Sequence, residues 1–150
     1  MESESRNIYK NARRTAGLTQ ERWAESIGCS VESVRNYEAG TQLPSDEIVR
    51  AMAEISGLTP LAYWHLCRKS ALAEEELPEV RRLPLPQAVL ELVCVLDEIS
   101  QVHGDMIRAA ADGRISMDEA DAWRQIRARL DGLIRAALQV KYSEGSEGGD

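Results

Sequence analysis

Four glycines, at positions 17, 28, 40 and 57, cut the first sixty residues into apolar-periodic stretches too short for anything but small helices, and each stretch has its own start signal. Ile8 to Ala16 closes at Gly17. Thr19 opens a stretch that runs through Ser26 to Gly28, and Ser30 opens Val31 to Ala39, which closes at Gly40. Ser45, followed by Asp46 and Glu47, opens Ile48 to Ile55 before Gly57, and Thr59-Pro60 restarts the chain for a fifth helix from Leu61 to about Ser70. The chemistry behind this punctuation is local. A hydroxyl accepts from the free amides at a helix start, acids there meet the positive end of the dipole, and glycine adopts the left-handed conformation that ends a helix. Composition agrees with a helical fold: aromatics are 5%, Phe is absent, and 43% hydrophobic residues suffice for a core but not for an aromatic-rich sheet sandwich.

The second and third stretches have the pattern of two helices crossing near a right angle. Ala24 falls where the crossing needs a small side chain, Gly28 sits in the turn, and Ile27, Val34 and Tyr37 occupy inward positions, as in a helix-turn-helix. With the Leu18-Thr-Gln20 opening, the Tyr37-Glu38 pair, Gly40 and the Leu43-Pro-Ser45 that follows, residues 8 to 68 resemble the phage repressor/Cro-like family, also called the xenobiotic-response-element family. The resemblance implies a five-helix DNA-binding domain. It implies that Gln20 touches a phosphate or braces a base-reading side chain, that Val31, Glu32, Ser33 and Arg35 face the major groove with Asn36 flanking the backbone, and that Ser30 and Thr41 belong to the same DNA-binding set. It also pairs Glu38 with Arg13 on the first helix as architecture. An Arg fork matches guanine O6 and N7 and a Glu accepts from cytosine N4, so base readout is expected chiefly from Arg35 and Glu32. The chain departs from the family at Gly40 to Ser45, which lacks the Lys or Arg that relatives often set against phosphates.

Net charge of -7 argues against nucleic acid until it is divided by position. Residues 1–70 hold nine basic and nine acidic side chains, and residues 71–150 hold nine and sixteen, so the whole imbalance lies in the second half. A neutral first half permits a local DNA-binding face, whereas the acidic half is unsuited to a phosphate backbone and is a candidate surface for a protein partner.

Three of the five prolines and an acidic run fall between Glu74 and Pro86, which reads as a linker. Beyond it Val89, Leu92, Leu96, Ile99, His103, Met106 and Ala110 recur at steps of three and four. Trp123, Ile126, Leu130, Leu133, Ala137 and Val140 do the same after a Ser116/Glu119 capping box. The short Asp112 to Ile115 turn makes the two an antiparallel hairpin. Two such helices cannot bury so wide an apolar stripe on each other, so these seam residues are expected to dimerise it into a four-helix bundle, a half only loosely similar to hairpins of phage-type regulators.

The expected organisation is all-α: a DNA-binding domain at 1–73, a linker at 74–86, a hairpin at 87–142 and a disordered tail at 143–150. The expected function is a dimeric transcriptional regulator on a pseudo-palindromic operator in double-stranded DNA. The alternative is a protein-interaction adaptor or antitoxin-like partner binder with a residual helix-turn-helix. No catalytic set, phosphate loop or dinucleotide fingerprint occurs, so no enzyme, cofactor or metal is expected. The polar N-terminus and the lack of a long apolar run point to a cytoplasmic, non-membrane protein. Cys29, Cys67 and Cys94, odd in number and in no CxxC pair, are expected to be small core residues rather than disulfides or zinc ligands.

Overall fold

A computed structural model describes residues 7–144, and the chain divides into two compact units at Leu77 and Pro78. The described residues are all-helical, apart from an isolated parallel bridge between Pro84 and Glu144. No helix among them is long and apolar enough to cross a membrane.

The first unit contains α1 (Ile8–Thr15), α2 (Gln20–Ile27), α3 (Val31–Ala39), α4 (Asp46–Ser56), α5 (Leu61–Lys69) and α6 (Ala71–Glu76). Its boundaries follow the expected punctuation. Thr19, Ser30 and Ser45 each accept a backbone amide at the start of α2, α3 and α4, and Gly28 and Gly40 end α2 and α3 with φ of 74° and 75°. The expected cap before α5 is different: Pro60 itself occupies the N-cap position, because the chain reaches Leu61 through a turn closed by the Leu61 amide on the Leu58 carbonyl. Helix α6 occupies the start of the expected linker. Ser70 caps it through the Ala73 amide, and Ala71, Leu72 and Ala73 favour helix before the prolines begin.

The core of this unit gathers Ile8, Tyr9 and Ala12 from α1, Trp23, Ala24 and Ile27 from α2, Val34 and Tyr37 from α3, and Val49 and Met52 from α4. Trp64 packs against it half-buried. The cysteines depart from expectation: Cys29 and Cys67 are half-buried and Cys94 is exposed, because position 94 faces away from the seam of its helix.

The second unit is an antiparallel hairpin of α7 (Leu85–Asp112) and α8 (Ala120–Lys141). Gly113, in the left-handed conformation, ends α7, and the capping box is present: the Ser116 amide donates to the Glu119 carboxylate while the Glu119 amide donates to the Ser116 hydroxyl. The segment leading into α7 is not a free tether. Val80 and Leu83 are buried, and Glu144 holds this segment through its amide to the Leu83 carbonyl and its carbonyl to the Leu85 amide, both at 3.2 Å. Arg82 adds an ion pair to the Glu144 carboxylate. The expected linker therefore ends as part of the hairpin, and the first residues of the expected tail are anchored to it; the rest of that tail, 145–150, lies outside the described residues.

The hairpin closes on a register one residue away from the residues expected to dimerise it. Ala88 and Val102 are buried on α7, with Val95 and Ala109 half-buried in the same register, whereas Val89, Leu96 and His103 are exposed. On α8, Ile126 is 1% exposed and belongs to the hairpin's own interior rather than to a partner surface. A polar pair lies in this seam: buried Gln139 donates to the Glu91 carboxylate at 2.6 Å.

Candidate nucleic-acid interface

Helix α3 is fixed from within and open outside. Val34 and Tyr37 bury its inner side, and its C-terminal end is tied to α1 by Asn7, whose side-chain amide donates to the carbonyls of Tyr37 at 2.8 Å and Glu38 at 2.7 Å. The same Asn7 caps α1 by accepting from the Lys10 amide. One asparagine thus sets the α1 start against the α3 end, bonding the Glu38 carbonyl and adding a second donor to the Tyr37 carbonyl, which also accepts from the Gly40 amide. Sequence reasoning missed it, since nothing local marks a contact thirty residues away.

Arg13 and Glu38 form the expected architectural pair as a fork: Nε lies 2.5 Å from Oε1 and Nη2 lies 3.0 Å from Oε2. Their side chains are only 14% and 7% exposed. Arg13 also donates to the Leu18 carbonyl at 2.9 Å, which ties the α1–α2 turn to the same charge. Burial pushes the Glu38 carboxyl up, but the bonds from Arg13 and Gln20 and the Arg13 charge outweigh it and hold the group below the usual carboxylate range. The hydrogen bond to Glu38 correspondingly raises Arg13.

Gln20 is drawn inward. Its side-chain amide donates to Glu38 Oε2 at 2.9 Å, so it braces the internal acid rather than a base-reading side chain. Ser30 serves as the α3 cap, accepting from the Ser33 amide, and the two hydroxyls lie 2.8 Å apart. Val31 packs half-buried against the core, which leaves it little surface to offer a groove. Asn36 is half-buried, and its carbonyl receives both the amide and the hydroxyl of exposed Thr41. The polar side chains that α3 exposes are Glu32 and Arg35, one turn apart, with Ser33 half-buried beside them; Ala39 is exposed at its end.

Helices α2 and α3 are joined by the short turn at Gly28, and the second keeps Glu32 and Arg35 exposed on its outer side. Residues 10–62 match the family model of a helix-turn-helix domain. The match covers about a third of the chain and contains α2, the Gly28 turn and α3 entire. No curated protein and no solved structure matches the chain.

Around the helix-turn-helix the electrostatics are mixed. Glu21, at the start of α2, is held below the usual carboxylate range first by its own backbone amide and by the Thr19 hydroxyl, with smaller contributions from the charges of Arg35 and Arg13. Arg35 is thus balanced by nearby acid, and the loop after α3 carries no cation.

A further network, which the sequence did not announce, joins α1, α4 and α5. The Tyr9 hydroxyl is 2.9 Å from His65 Nδ1, and His65 Nε2 is 3.2 Å from Asp46, which also pairs with Lys69 at 2.6 Å. A carboxylate only accepts, so Nε2 carries the proton and Nδ1 accepts from the Tyr9 hydroxyl. Burial lowers His65 more than Asp46 raises it, and burial raises Tyr9. The imidazole is a neutral strut between α1, α4 and α5.

Proposed function

We propose that the protein is a dimeric, sequence-specific DNA-binding transcriptional regulator that inserts α3 into the major groove, and that it is a binding protein rather than an enzyme. The observation that carries this reading is the exposed pair Arg35 and Glu32 on a helix whose inner face and C-terminal end are locked by Tyr37, Asn7 and the Arg13–Glu38 fork. A base-reading side chain needs such a rigid base, because a bidentate pairing discriminates by about 1 to 3 kcal/mol only when its geometry is held. Arg35 is assigned to guanine and Glu32 to cytosine, with Ser33 and Thr41 at the edges of the contact.

With few cations to set against phosphates, a single domain binds weakly, and useful affinity comes from two domains held by their hairpins. A two-fold dimer reads a pseudo-palindromic operator with half-sites about 10 bp apart or a multiple of it. The test is enrichment of random duplexes by the full chain at low salt, then footprinting of wild type and Arg35→Ala. The variant keeps its melting curve and loses sequence preference. Identical footprints would remove Arg35 from the readout, and no enrichment at any salt would favour a protein-binding adaptor.

A further inference from the structure

The hairpin has one apolar side, and it follows from the register of its two helices. On α7 the covered positions 88, 95 and 102 are each followed by an exposed one, Val89, Leu96 and His103; on α8 buried Ile126 and Ala136 and half-buried Arg129 and Leu133 are followed by exposed Arg127, half-buried Leu130 and exposed Ile134 and Ala137, so this stripe is apolar apart from Arg127. One residue is a rotation of about 100° in the same sense about each chain direction. Because the helices run antiparallel, equal rotations away from their shared seam bring both stripes out on the same side of the hairpin. Leu96 is 48% exposed, Ile107 58% and Ile134 52%.

With α7 of 28 residues and α8 of 22, about 42 and 33 Å long at 1.5 Å per residue, and two helices side by side about 20 Å wide, this side presents on the order of 700 Å², its polar residues included. That approaches the ~800 Å² per partner of a stable interface. Two copies can stack these sides with two-fold symmetry in two ways. With the axis along the helices, α7 lies on the partner's α8 and both α7 N-termini share one end. With the axis across them, α7 lies on the partner's α7 and the N-termini are at opposite ends. The helices are unlike in charge: between 85 and 111, α7 carries four acids against one arginine, whereas α8 carries five cations against two acids. The first arrangement makes every neighbouring pair acidic against basic, and the second puts acid on acid and base on base.

We propose that the apolar side of the hairpin takes a second copy of this chain with α7 on the partner's α8, so that both segments leading to the DNA-reading domains leave the bundle at the same end. This rests on the regulator reading above and makes it specific, since two heads starting from one end engage adjacent half-sites. The experiment uses the wild-type chain without DNA. After sedimentation establishes the dimer, mixed light and heavy isotope-labelled chains are treated with an amine cross-linker. Lys141 lies near the end where α7 begins, so same-end stacking yields a Lys141-to-Lys141 link between light and heavy chains, and opposite-end stacking places these amines more than about 30 Å apart. Spin labels at Gln87→Cys, with the native cysteines replaced by serine, give a second reading: about 25 to 30 Å for same-end stacking against about 40 Å or more. A monomer or the long distance overturns the proposal while leaving DNA enrichment to judge the regulator reading separately.

Discussion

Glu38→Ala tests whether α3 is held by charge or merely by packing. The substitution removes three acceptor contacts, from Arg13 Nε, Arg13 Nη2 and Gln20 Nε2, and leaves the Arg13 guanidinium with only the Leu18 carbonyl in a setting where its side chain is 14% exposed. Breaking a fully buried pair costs about 3 to 5 kcal/mol, and the residual exposure here brings the expectation to about 2 to 3 kcal/mol. For a unit of some seventy residues each kcal/mol moves the midpoint by about 4 to 8 °C, so the first unit should melt on the order of 10 to 20 °C lower. Calorimetry on the full chain reads the shift, and hydrogen exchange of the α1 and α3 amides assigns it to this unit. The double variant Arg13→Met with Glu38→Leu should recover most of the loss, since no uncompensated charge remains. A midpoint within about 2 °C of wild type in Glu38→Ala, with α3 amides exchanging at the wild-type rate, would refute the argument and leave the Tyr37 and Asn7 contacts as sufficient.

Acid should destabilise the first unit in two stages. His65 is lowered in the fold, so the unfolded chain takes up its proton first and stability falls as the pH drops below about 6.5; Glu38 is also lowered, so its contribution is complete above about pH 4.3 and is lost below it. Melting points between pH 8 and 3 should show both limbs, and His65→Gln should flatten the upper one alone; an unchanged upper limb contradicts the neutral imidazole. In the hairpin, Gln139→Leu should cost about 1 to 2 kcal/mol by stripping a donor from half-buried Glu91, and Glu91→Leu with Gln139→Leu should return to or exceed wild type, because two apolar groups replace the pair. Thermal melts decide it: a single variant as stable as wild type would show that the pair does not contribute.

Signals carried by residues adjacent in sequence were readable, and those carried across space were not. Thr19, Ser30, Ser45 and the glycines act on amides and carbonyls within four residues, so their helices fall where the punctuation puts them. Glu38 with Arg13 was accessible only through the family resemblance, because no local rule pairs positions 25 apart. Gln20 was assigned outward on the same resemblance. An amide side chain at a helix start serves either direction equally, and the nearby anion of Glu38 draws it inward. His65 beside Cys67 gave no sign of its partners, which come from α1 and α4 and meet it only when the five helices pack.

The hairpin shows how one apolar pattern can hold two adjoining registers. Val89, Leu92, Leu96, Ile99, His103 and Met106 keep a seven-residue repeat, but so do Ala88, Val95, Val102 and Ala109, one position away. Periodicity alone ranks the bulkier set first. Close approach of two helices favours small side chains instead, and the covered positions include Ala88 and Ala136. Leu92, Ile99 and Met106, half-buried, lie between the two registers and serve both. A stripe too broad for one contact is therefore better understood as two adjoining faces, an inner one around Ala88, Val102, Ile126 and Ala136 that closes the hairpin and an outer one of Val89, Leu96, His103 and Ile107 that remains to be covered. That division is what turns the width of an apolar pattern into a statement about how many helices must meet.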